Sequence, residues 1–218
     1  MDKRLNMLQA ANLVPDGSTV MIGGFIGCGS PHQIIDHLVH RGAKDLTVIC
    51  NDTGRPEYGI GKLVVARCCK KIIASHIGTN RETGRQMIAG ELEVDLVPQG
   101  TLAERVRCAA YGLGGVLTRT GVGTLAQENK TVLMQDGVQY LLETALHADV
   151  ALIAADTADE YGNLVFKAST RNFNVVMAGA ATHTIAFVKK IVKVGDLDPE
   201  HIVVPGAFVD YIVLEEEA

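Results

Sequence analysis

Residues 19–31, TVMIGGFIGCGSP, decide the fold that we expect for this chain. A short β-favouring run, residues 19–23, leads into a glycine-rich turn, and Ser30-Pro31 then stands before a stretch with helical periodicity. We expect Ser30 to cap that helix, Pro31 to occupy its first turn and Gly42 to end it. A buried strand, a glycine turn and a helix form the repeating unit of parallel α/β sheets.

Similar units recur along the sequence. Apolar, β-rich segments separated by helix-like stretches lie at 19–23, 46–51, 71–75, 94–98, 149–154, 163–166, 184–188 and 211–214. Several are continuous apolar runs, which is typical of strands that are covered on both faces. We therefore predict an α/β fold: one domain over residues 1–218, with a mostly parallel open sheet flanked by helices.

One segment departs from this alternation. Asp136-Gly137 stands between the strand-like runs 131–135 and 138–142, which predicts a small β-hairpin insertion. The preceding residues 112–123, GLGGVLTRTGVG, indicate a long irregular loop that is functional or flexible. The sequence suggests no internal repeat and no interdomain linker.

Composition narrows the classes of function. With 47% hydrophobic and 21% charged residues in 218, the chain can bury a large core. A net charge of −5 and dispersed basic residues argue against nucleic acid as a partner, and no apolar run predicts a membrane helix. Five cysteines without metal or disulfide spacing favour a cytoplasmic location. The acidic residues 215–217 are expected to form a solvated terminus.

Ligands of open α/β sheets bind at the carboxyl ends of the strands, so the residues after each strand form the candidate site. Gly23–Gly29 either brings backbone N–H groups close to an anion or only makes a tight turn, and the residues favour neither. Asn51-Asp52 is most simply interpreted as an Asx turn. His76 is a candidate general base, although a hydrogen-bonded structural histidine is favoured.

The turn Pro98-Gln99-Gly100-Thr101 is the most informative of these segments. Pro98 fixes the backbone, and Thr101 is expected to cap the following helix. Gln99 would then lie at a strand end beside a helix N-terminus, where a neutral amide donor can stabilise a developing oxyanion. A purely structural turn is equally compatible with these residues.

The sequence supplies no covalent nucleophile. It lacks the G-x-S-x-G elbow of α/β-hydrolases, and no H-E-x-x-H or other metal-binding pattern is present, so no metal cofactor is expected. The candidate glutamates lie in ordinary contexts. No covalent nucleophile can therefore be nominated from the sequence of this chain.

At this point the motifs resemble those of the family I (3-oxoacid) CoA-transferases, and within them the A subunits of the acetate or butyrate–acetoacetate type. The resemblance covers nearly the whole chain in order: DGSTVMIGGF from Asp16, NDTG from Asn51, SHIGTN from Ser75, PQGTLAER from Pro98, GLGG from Gly112, TGVGT from Thr120 and RNFN from Arg171. It implies a transferase that moves coenzyme A, as substrate and product, from a short-chain acyl-CoA to a carboxylic acid.

The resemblance also implies roles for individual residues. Gln99 would stabilise the oxyanion, the loop Gly23, Gly24, Phe25, Ile26, Gly27, Cys28 and Gly29 would contact CoA, and Asn51 and Asp52 would lie beside the acid pocket. The attacking glutamate would belong to a partner B subunit in an S-E-N-G motif, which this chain lacks. A heterotetramer of two A and two B chains is expected. One departure, Cys108–Tyr111, bears methyl groups and a tyrosine where the family is richer in glycine, and would narrow the pocket.

Two other hypotheses stay open on the sequence. The chain is alternatively a sugar-phosphate isomerase-like enzyme of related fold, with phosphate held by the glycine loop, or a non-catalytic scaffold subunit. Isomerase activity of the isolated chain would support the first, and an assembly indifferent to every turn mutation in this chain would support the second.

Overall fold

The computed structural model describes residues 2–216, and most of its strands match the segments expected from the sequence. Six α-helices are present in this part of the chain: α1 Met7–Asn12, α2 His32–His40, α3 Gly61–Val65, α4 Arg81–Ile88, α5 Gln99–Ala110 and α6 Asn172–Met177. The strands are β1 Arg4–Leu5, β2 Thr19–Ile22, β3 Leu46–Asp52, β4 Cys69–His76, β5 Glu93–Leu96, β6 Gly115–Thr118, β7 Val132–Gln135, β8 Val138–Thr144, β9 Ala148–Asp159, β10 Leu164–Val165, β11 Ala181–Val192 and β12 Tyr211–Leu214.

The main sheet is open and almost wholly parallel, as predicted. Its order is β1-β12-β11-β9-β2-β3-β4-β5, and only the short β10 pairs antiparallel, with β9. Strands β9 and β11 run well beyond the end of β2, because β2 stops at Ile22, opposite Leu152. Their extra length creates a ledge at the carboxyl edge, next to the turn that follows β2.

Helices cover both faces of this sheet, which explains its continuous apolar strands. Helices α1, α2 and α3 pack on one face with Val20, Ile22 and Leu152, and helices α5 and α6 pack on the other with Met21 and Ile153. Burial of each of the larger apolar side chains stabilises the folded state by about 1.5–3 kcal/mol. The prediction of a mostly parallel open sheet flanked by helices is therefore confirmed.

The region after α5 contains more structure than the sequence indicated. The expected hairpin exists, since Val132–Gln135 pairs antiparallel with Val138–Thr144. The prediction of an irregular loop over 112–123 was wrong in part, because Gly115–Thr118 is a strand that pairs with the hairpin to make a separate three-stranded sheet, β6-β8-β7. The glycines of this segment indicate a loop, whereas Gly115–Thr118 is a strand whose hydrogen-bond partners, on β8, are distant in the sequence.

Several predicted helix boundaries were also wrong. Helix α2 begins at His32 with Pro31 at the N-cap position, and Ser30 makes no cap. Helix α5 begins at Gln99, so Thr101 lies inside its first turn, where its hydroxyl oxygen is buried without a hydrogen-bond partner among the described residues. Within residues 2–216, no helix has the length and apolar character needed to cross a membrane.

Candidate functional site

The glycine loop folds as a two-residue hairpin at the end of β2, which we call the glycine hairpin (residues 25–28). Phe25 and Cys28 exchange both backbone hydrogen bonds, at 3.0 and 2.9 Å. The turn residues Ile26 and Gly27 have φ values of 47° and 82°, as a type I′ turn requires. A β-branched residue is rarely found at positive φ, so Ile26 stores backbone strain that its surroundings must hold.

The glycines of this loop are needed by the chain itself. A Cβ on Gly23 would lie 1.8 Å from Asn174 Oδ1, and one on Gly24 would lie 1.9 Å from Ser30 Oγ. A Cβ on Gly27 would lie 2.1 Å from the ring of Tyr58. The glycine spacing is thus explained by internal packing, and CoA contact by residues 23–29 stays a prediction.

Two asparagines hold the outer side of the loop, and sequence reasoning gave them no role. Asn174 is fully buried; its Oδ1 accepts from Ala154 N at 2.9 Å, and its Nδ2 donates to Gly29 O and Thr170 O at 2.8 Å. Asn172 Nδ2 donates to Cys28 O at 3.0 Å. The RNFN motif contains both residues, but only the fold shows that Asn172 holds Cys28 and that Asn174 connects the end of the glycine loop to β9.

A second hairpin repeats this design one strand further along the sheet. After β3, Arg55 and Tyr58 form an isolated antiparallel bridge around Pro56-Glu57, and α3 follows as α2 follows the glycine hairpin. The Tyr58 ring lies 4.5 Å from that of His32, centroid to centroid, and covers Gly27. The two hairpins share their bridged outline and flanking glycines but not their turn residues, because neither Pro56 nor Glu57 has the positive φ of Ile26 and Gly27.

Side chains from the ends of three strands, together with one backbone N–H that follows a fourth strand, form one hydrogen-bond relay. Gln99 Nε2 donates to Asn51 Oδ1 at 2.7 Å, and the Ser75 hydroxyl donates to the same oxygen at 3.0 Å. Asn51 Nδ2 in turn donates to Asp52 Oδ2 at 2.7 Å, which also accepts from Ile26 N at 2.8 Å. The structure thus brings together Gln99, Asn51, Asp52 and the glycine hairpin, which lie far apart in sequence.

Asp52 is a structural anchor. It is only 4% exposed, and its Oδ1 accepts from Gly54 N at 2.8 Å, which confirms the Asx turn. With three N–H donors on its two oxygens, the carboxylate is occupied and shielded, and it holds Ile26 in its strained conformation. The nearby Glu57 lies exposed on the tip of the second hairpin.

Gln99 is exposed and only partly used by the relay. One amide hydrogen goes to Asn51, and among the described residues no partner is found for the other. Pro98 gives α5 no side-chain cap, so the unpaired N–H groups of the first helical turn lie beside this amide. The arrangement offers several neutral donors at the carboxyl edge, which suits a developing negative charge.

His76 does not make the hydrogen bond that a structural histidine would need. Its ring is exposed, lies against Gly78 and has no hydrogen-bond partner within residues 2–216. The favoured interpretation of this residue was therefore wrong, and its position at the end of β4 leaves the ring free at the same edge as Gln99.

A cavity of about 260 Å³ lies behind the glycine hairpin, on the ledge made by β9, β11 and β12. The register places Asp156 on β9 beside Lys189 on β11, and Glu215, the residue after β12, on the other side of Lys189. Burial raises the pKa of Glu215, against the opposing effect of Lys189. Glu215 is thus half-buried in a cavity wall, contrary to the expected solvated tail; Glu217 lies outside the described residues.

Burial lowers the pKa of His32, which lines the same cavity, and Lys62 adds to this effect. The hydrogen bond from its Nε2 to Gly27 O, at 3.0 Å, partly opposes it. The ring is therefore neutral near pH 7 and donates this hydrogen bond. This hydrogen bond connects the first residue of α2 to the glycine hairpin, and both residues line the cavity.

The segment Cys108–Tyr111 lies at the far end of α5 from Gln99, about 14 Å along the helix axis. Cys108 and Ala109 are buried in the core, and Tyr111 is exposed with its ring 6.0 Å from that of Phe208. The structure gives this segment no place at the carboxyl edge, so its expected narrowing of the acid pocket is not supported.

An open, almost wholly parallel sheet with loops and a cavity at its carboxyl edge defines a ligand-binding α/β protein. The family model described as "Coenzyme A transferase" matches residues 4–215. The chain belongs to this coenzyme A transferase family.

Two relatives cover nearly the whole chain. The chain is 49% identical to the acetate CoA-transferase subunit alpha of Escherichia coli K12, over 99% of this chain and 98% of that protein. It is 50% identical to the acetoacetyl-CoA:acetate/butyrate CoA transferase alpha subunit of Clostridium acetobutylicum, over 92% of each. Neither of the other sequence-based hypotheses, an isomerase or a non-catalytic scaffold, is favoured by these matches.

The fold is also that of a solved CoA-transferase. An acyl-CoA transferase from E. coli O157:H7, crystallised as a thioester complex with CoA, matches with a TM-score of 0.87 at 22% identity, over 98% of this chain and 47% of that one. The present chain thus spans about half the length of that enzyme, and the likeness concerns the fold alone.

Proposed function

We propose that this chain is the A subunit of a two-subunit CoA-transferase that moves CoA from a short-chain acyl-CoA to a carboxylic acid of the acetate, butyrate or acetoacetate class. The names of the two relatives, both alpha subunits, support a B partner. The observation that carries the proposal is the relay itself. It presents an open neutral amide on Gln99, while the one carboxylate within it, Asp52, is occupied.

In the proposed reaction the attacking carboxylate is a glutamate of the B subunit. It attacks the acyl-CoA carbonyl and expels the CoA thiolate, which leaves an acyl–glutamyl anhydride. The thiolate then attacks the glutamyl carbonyl, releases the first acid and leaves a glutamyl–CoA thioester. The second carboxylate attacks the glutamyl–CoA thioester and expels the CoA thiolate, which leaves a new acyl–glutamyl anhydride. The thiolate then attacks the acyl carbonyl of this anhydride, which gives the new acyl-CoA and frees the glutamate. Each addition places negative charge on one oxygen, which is the species that the Gln99 amide stabilises.

Asn51 keeps that amide in place. Because Asn51 Oδ1 accepts from both Gln99 and Ser75, its own orientation is fixed, and the donor on Gln99 is preorganised before substrate arrives. Asn51 and Asp52 lie beside the proposed acid pocket as positioning residues. The loop 23–29 contributes the exposed side chains of Phe25 and Ile26 to the proposed CoA-binding surface.

The assembly and location complete the proposal. Two A and two B chains close the site between subunits, which excludes water from the anhydride and thioester. All five cysteines are unpaired thiols, which supports a reducing cytoplasmic location. Size-exclusion chromatography with light scattering on the co-expressed chains, and cell fractionation, test these two statements.

Activity of the complex tests the role of Gln99. In the chain reconstituted with its B subunit, Gln99→Ala is expected to lower kcat about 10²–10³-fold, as for loss of one oxyanion donor, with little change in KM. Gln139→Ala, which removes an exposed amide from the small sheet, is the matched control and should leave both constants unchanged. An unaltered kcat for Gln99→Ala, or full activity of the isolated chain, would refute the proposal.

A further inference from the structure

A groove of about 510 Å³ lies between the glycine hairpin and the second hairpin, residues 55–58. Four side chains line it: Ile26 from the glycine hairpin, and Arg55, Glu57 and Tyr58 from the second hairpin. All four are exposed, Ile26 by 39% and Tyr58 by 47%. The groove shares only Tyr58 with the cavity behind the glycine hairpin. Its volume is within the range of roughly 300–1,000 Å³ that is usual for small-molecule sites.

The second hairpin is held in place by the elements around it. Asn80, the N-cap of α4, donates from Nδ2 to Thr53 O at 3.0 Å, just before the hairpin begins. The Arg55 carbonyl lies against the start of α3, where a Cβ added to Gly61 would be 1.8 Å from its oxygen. The Tyr58 ring is packed on the glycine hairpin, as described above. The side chains that line the groove therefore project from fixed backbone.

The polar groups of the groove are available to a ligand. Among residues 2–216, neither the guanidinium of Arg55 nor the carboxylate of Glu57 makes an ion pair, with each other or with any other residue. An aromatic ring such as that of Tyr58 stacks on a nucleobase. A guanidinium binds a phosphate, and a carboxylate accepts a hydrogen bond from an exocyclic amino group. An adenine nucleotide uses all three of these groups.

We infer that this groove holds the nucleotide end of coenzyme A, with the adenine on Tyr58, its amino group on Glu57 and a phosphate on Arg55. The inference rests on the proposed function, because it takes CoA as the substrate at the carboxyl edge. The chain has a net charge of −5, so an anionic nucleotide needs a local cation. The cavity behind the glycine hairpin suits it less well, because two carboxylates stand beside Lys189 there.

The distance from the groove to Gln99 agrees with the length of CoA. Three hydrogen bonds of 2.7–2.8 Å join Gln99 Nε2 to Ile26 N through Asn51 and Asp52, so these two nitrogens are at most about 11 Å apart. The arm between the thiol and the nucleotide of CoA is about as long as five extended residues, roughly 17 Å. The thiol can therefore lie at Gln99 while the adenine lies on Tyr58.

Isothermal titration calorimetry of the full chain with 3′-phosphoadenosine 5′-phosphate tests the groove. Tyr58→Ala should raise Kd at least about tenfold, as for loss of one base–aromatic contact, whereas Tyr58→Phe keeps the ring and should stay within about twofold of the parent. Arg55→Ala should raise Kd about tenfold and weaken its dependence on salt. Tyr111→Ala and Arg119→Ala are the matched controls; each removes an exposed side chain far from the groove and should leave Kd unchanged.

The choice of base tests the role of Glu57. Adenosine 5′-phosphate should bind about tenfold more tightly than inosine 5′-phosphate, which has no amino group for the carboxylate to accept from. Glu57→Ala should abolish this preference by weakening the binding of the adenine nucleotide. A parent chain that binds both nucleotides equally, or a preference that survives in Glu57→Ala, would contradict the assignment.

Circular dichroism verifies that each variant is folded, and size-exclusion chromatography verifies that it binds the B subunit. A parent chain that does not bind the nucleotide, equal values of Kd for Tyr58→Ala and Tyr58→Phe, or equal effects of Arg55→Ala and Arg119→Ala would overturn the inference. So would a Tyr58→Ala chain that keeps its Kd but no longer binds B, since the groove would then be a subunit contact. None of these measurements uses transferase activity, so failure here is distinct from failure of the proposed function.

Discussion

A methyl side chain at Gly23 should break the hydrogen bonds through which Asn174 holds the glycine loop in place. The new Cβ would lie 1.8 Å from Asn174 Oδ1 and 2.6 Å from its Cγ, distances that no real contact shows. Asn174 is fully buried and cannot swing into solvent. It would have to give up its hydrogen bonds with Ala154 N, Gly29 O and Thr170 O. At about 1 kcal/mol for each, or more where a buried partner stays unpaired, Gly23→Ala should cost about 3–4 kcal/mol.

Urea unfolding of the full chain, followed by circular dichroism, measures this loss. The control is Gly84→Ala in α4, where an added Cβ meets nothing within 4 Å. Because alanine is the better helix former, this control should stabilise the chain by about 1 kcal/mol. The same chemical change therefore has opposite signs at the two positions.

A double-mutant cycle identifies the cause. Asn174→Ala removes the side chain that clashes, so adding Gly23→Ala to it should cost little, and the two losses should be strongly non-additive. Losses that simply add, or a Gly23→Ala chain within about 1 kcal/mol of the parent, would show that Asn174 does not fill the space of the missing side chain.

Two further predictions concern single groups. Burial lowers the pKa of His32 in the folded chain, so the unfolded chain binds more protons and the free energy of unfolding should fall as the pH drops below about 6.5. His32→Gln should reduce this loss of stability, measured by urea titrations at several pH values. An identical pH dependence in the variant and the parent chain would contradict the prediction. Thr101→Val replaces a buried hydroxyl, for which no partner is found among the described residues, by a methyl group, and should stabilise the folded chain by up to about 1 kcal/mol. Thr101→Ser keeps the hydroxyl and should destabilise it. The opposite order of urea midpoints would show that the hydroxyl has a partner.

The main sheet was predictable because its signals are local. Buried parallel strands are continuous apolar runs, and the glycines that end them are visible in any window of ten residues. Strand β6 was missed because Gly115–Thr118 has no apolar run and becomes a strand only through pairing with β8. The start of α5 was missed because Thr101-x-x-Glu104 imitates a capping box, whereas Pro98 had already set the first turn.

The candidate site was only half predictable. Gln99, Asn51 and the glycine loop stand out because each lies at or just after the carboxyl end of a strand, and the topology of a parallel sheet brings such positions to one edge. Which hydrogen bonds these residues form depends on the directions of their side chains, and the spacing of residues in the sequence does not determine those directions. Lys189 and Glu215 gave no signal, since they become neighbours only through the register of β11 and β12.

The order of strands in the main sheet also constrains how the chain can fold. Strand β1, Arg4–Leu5, pairs with β12, Tyr211–Leu214, although some two hundred residues separate them in sequence. On the ribosome, β1 emerges long before β12, its neighbour among the described strands, has been translated. The hydrogen bonds between β1 and β12 can therefore form only after residues 211–214 have left the ribosome.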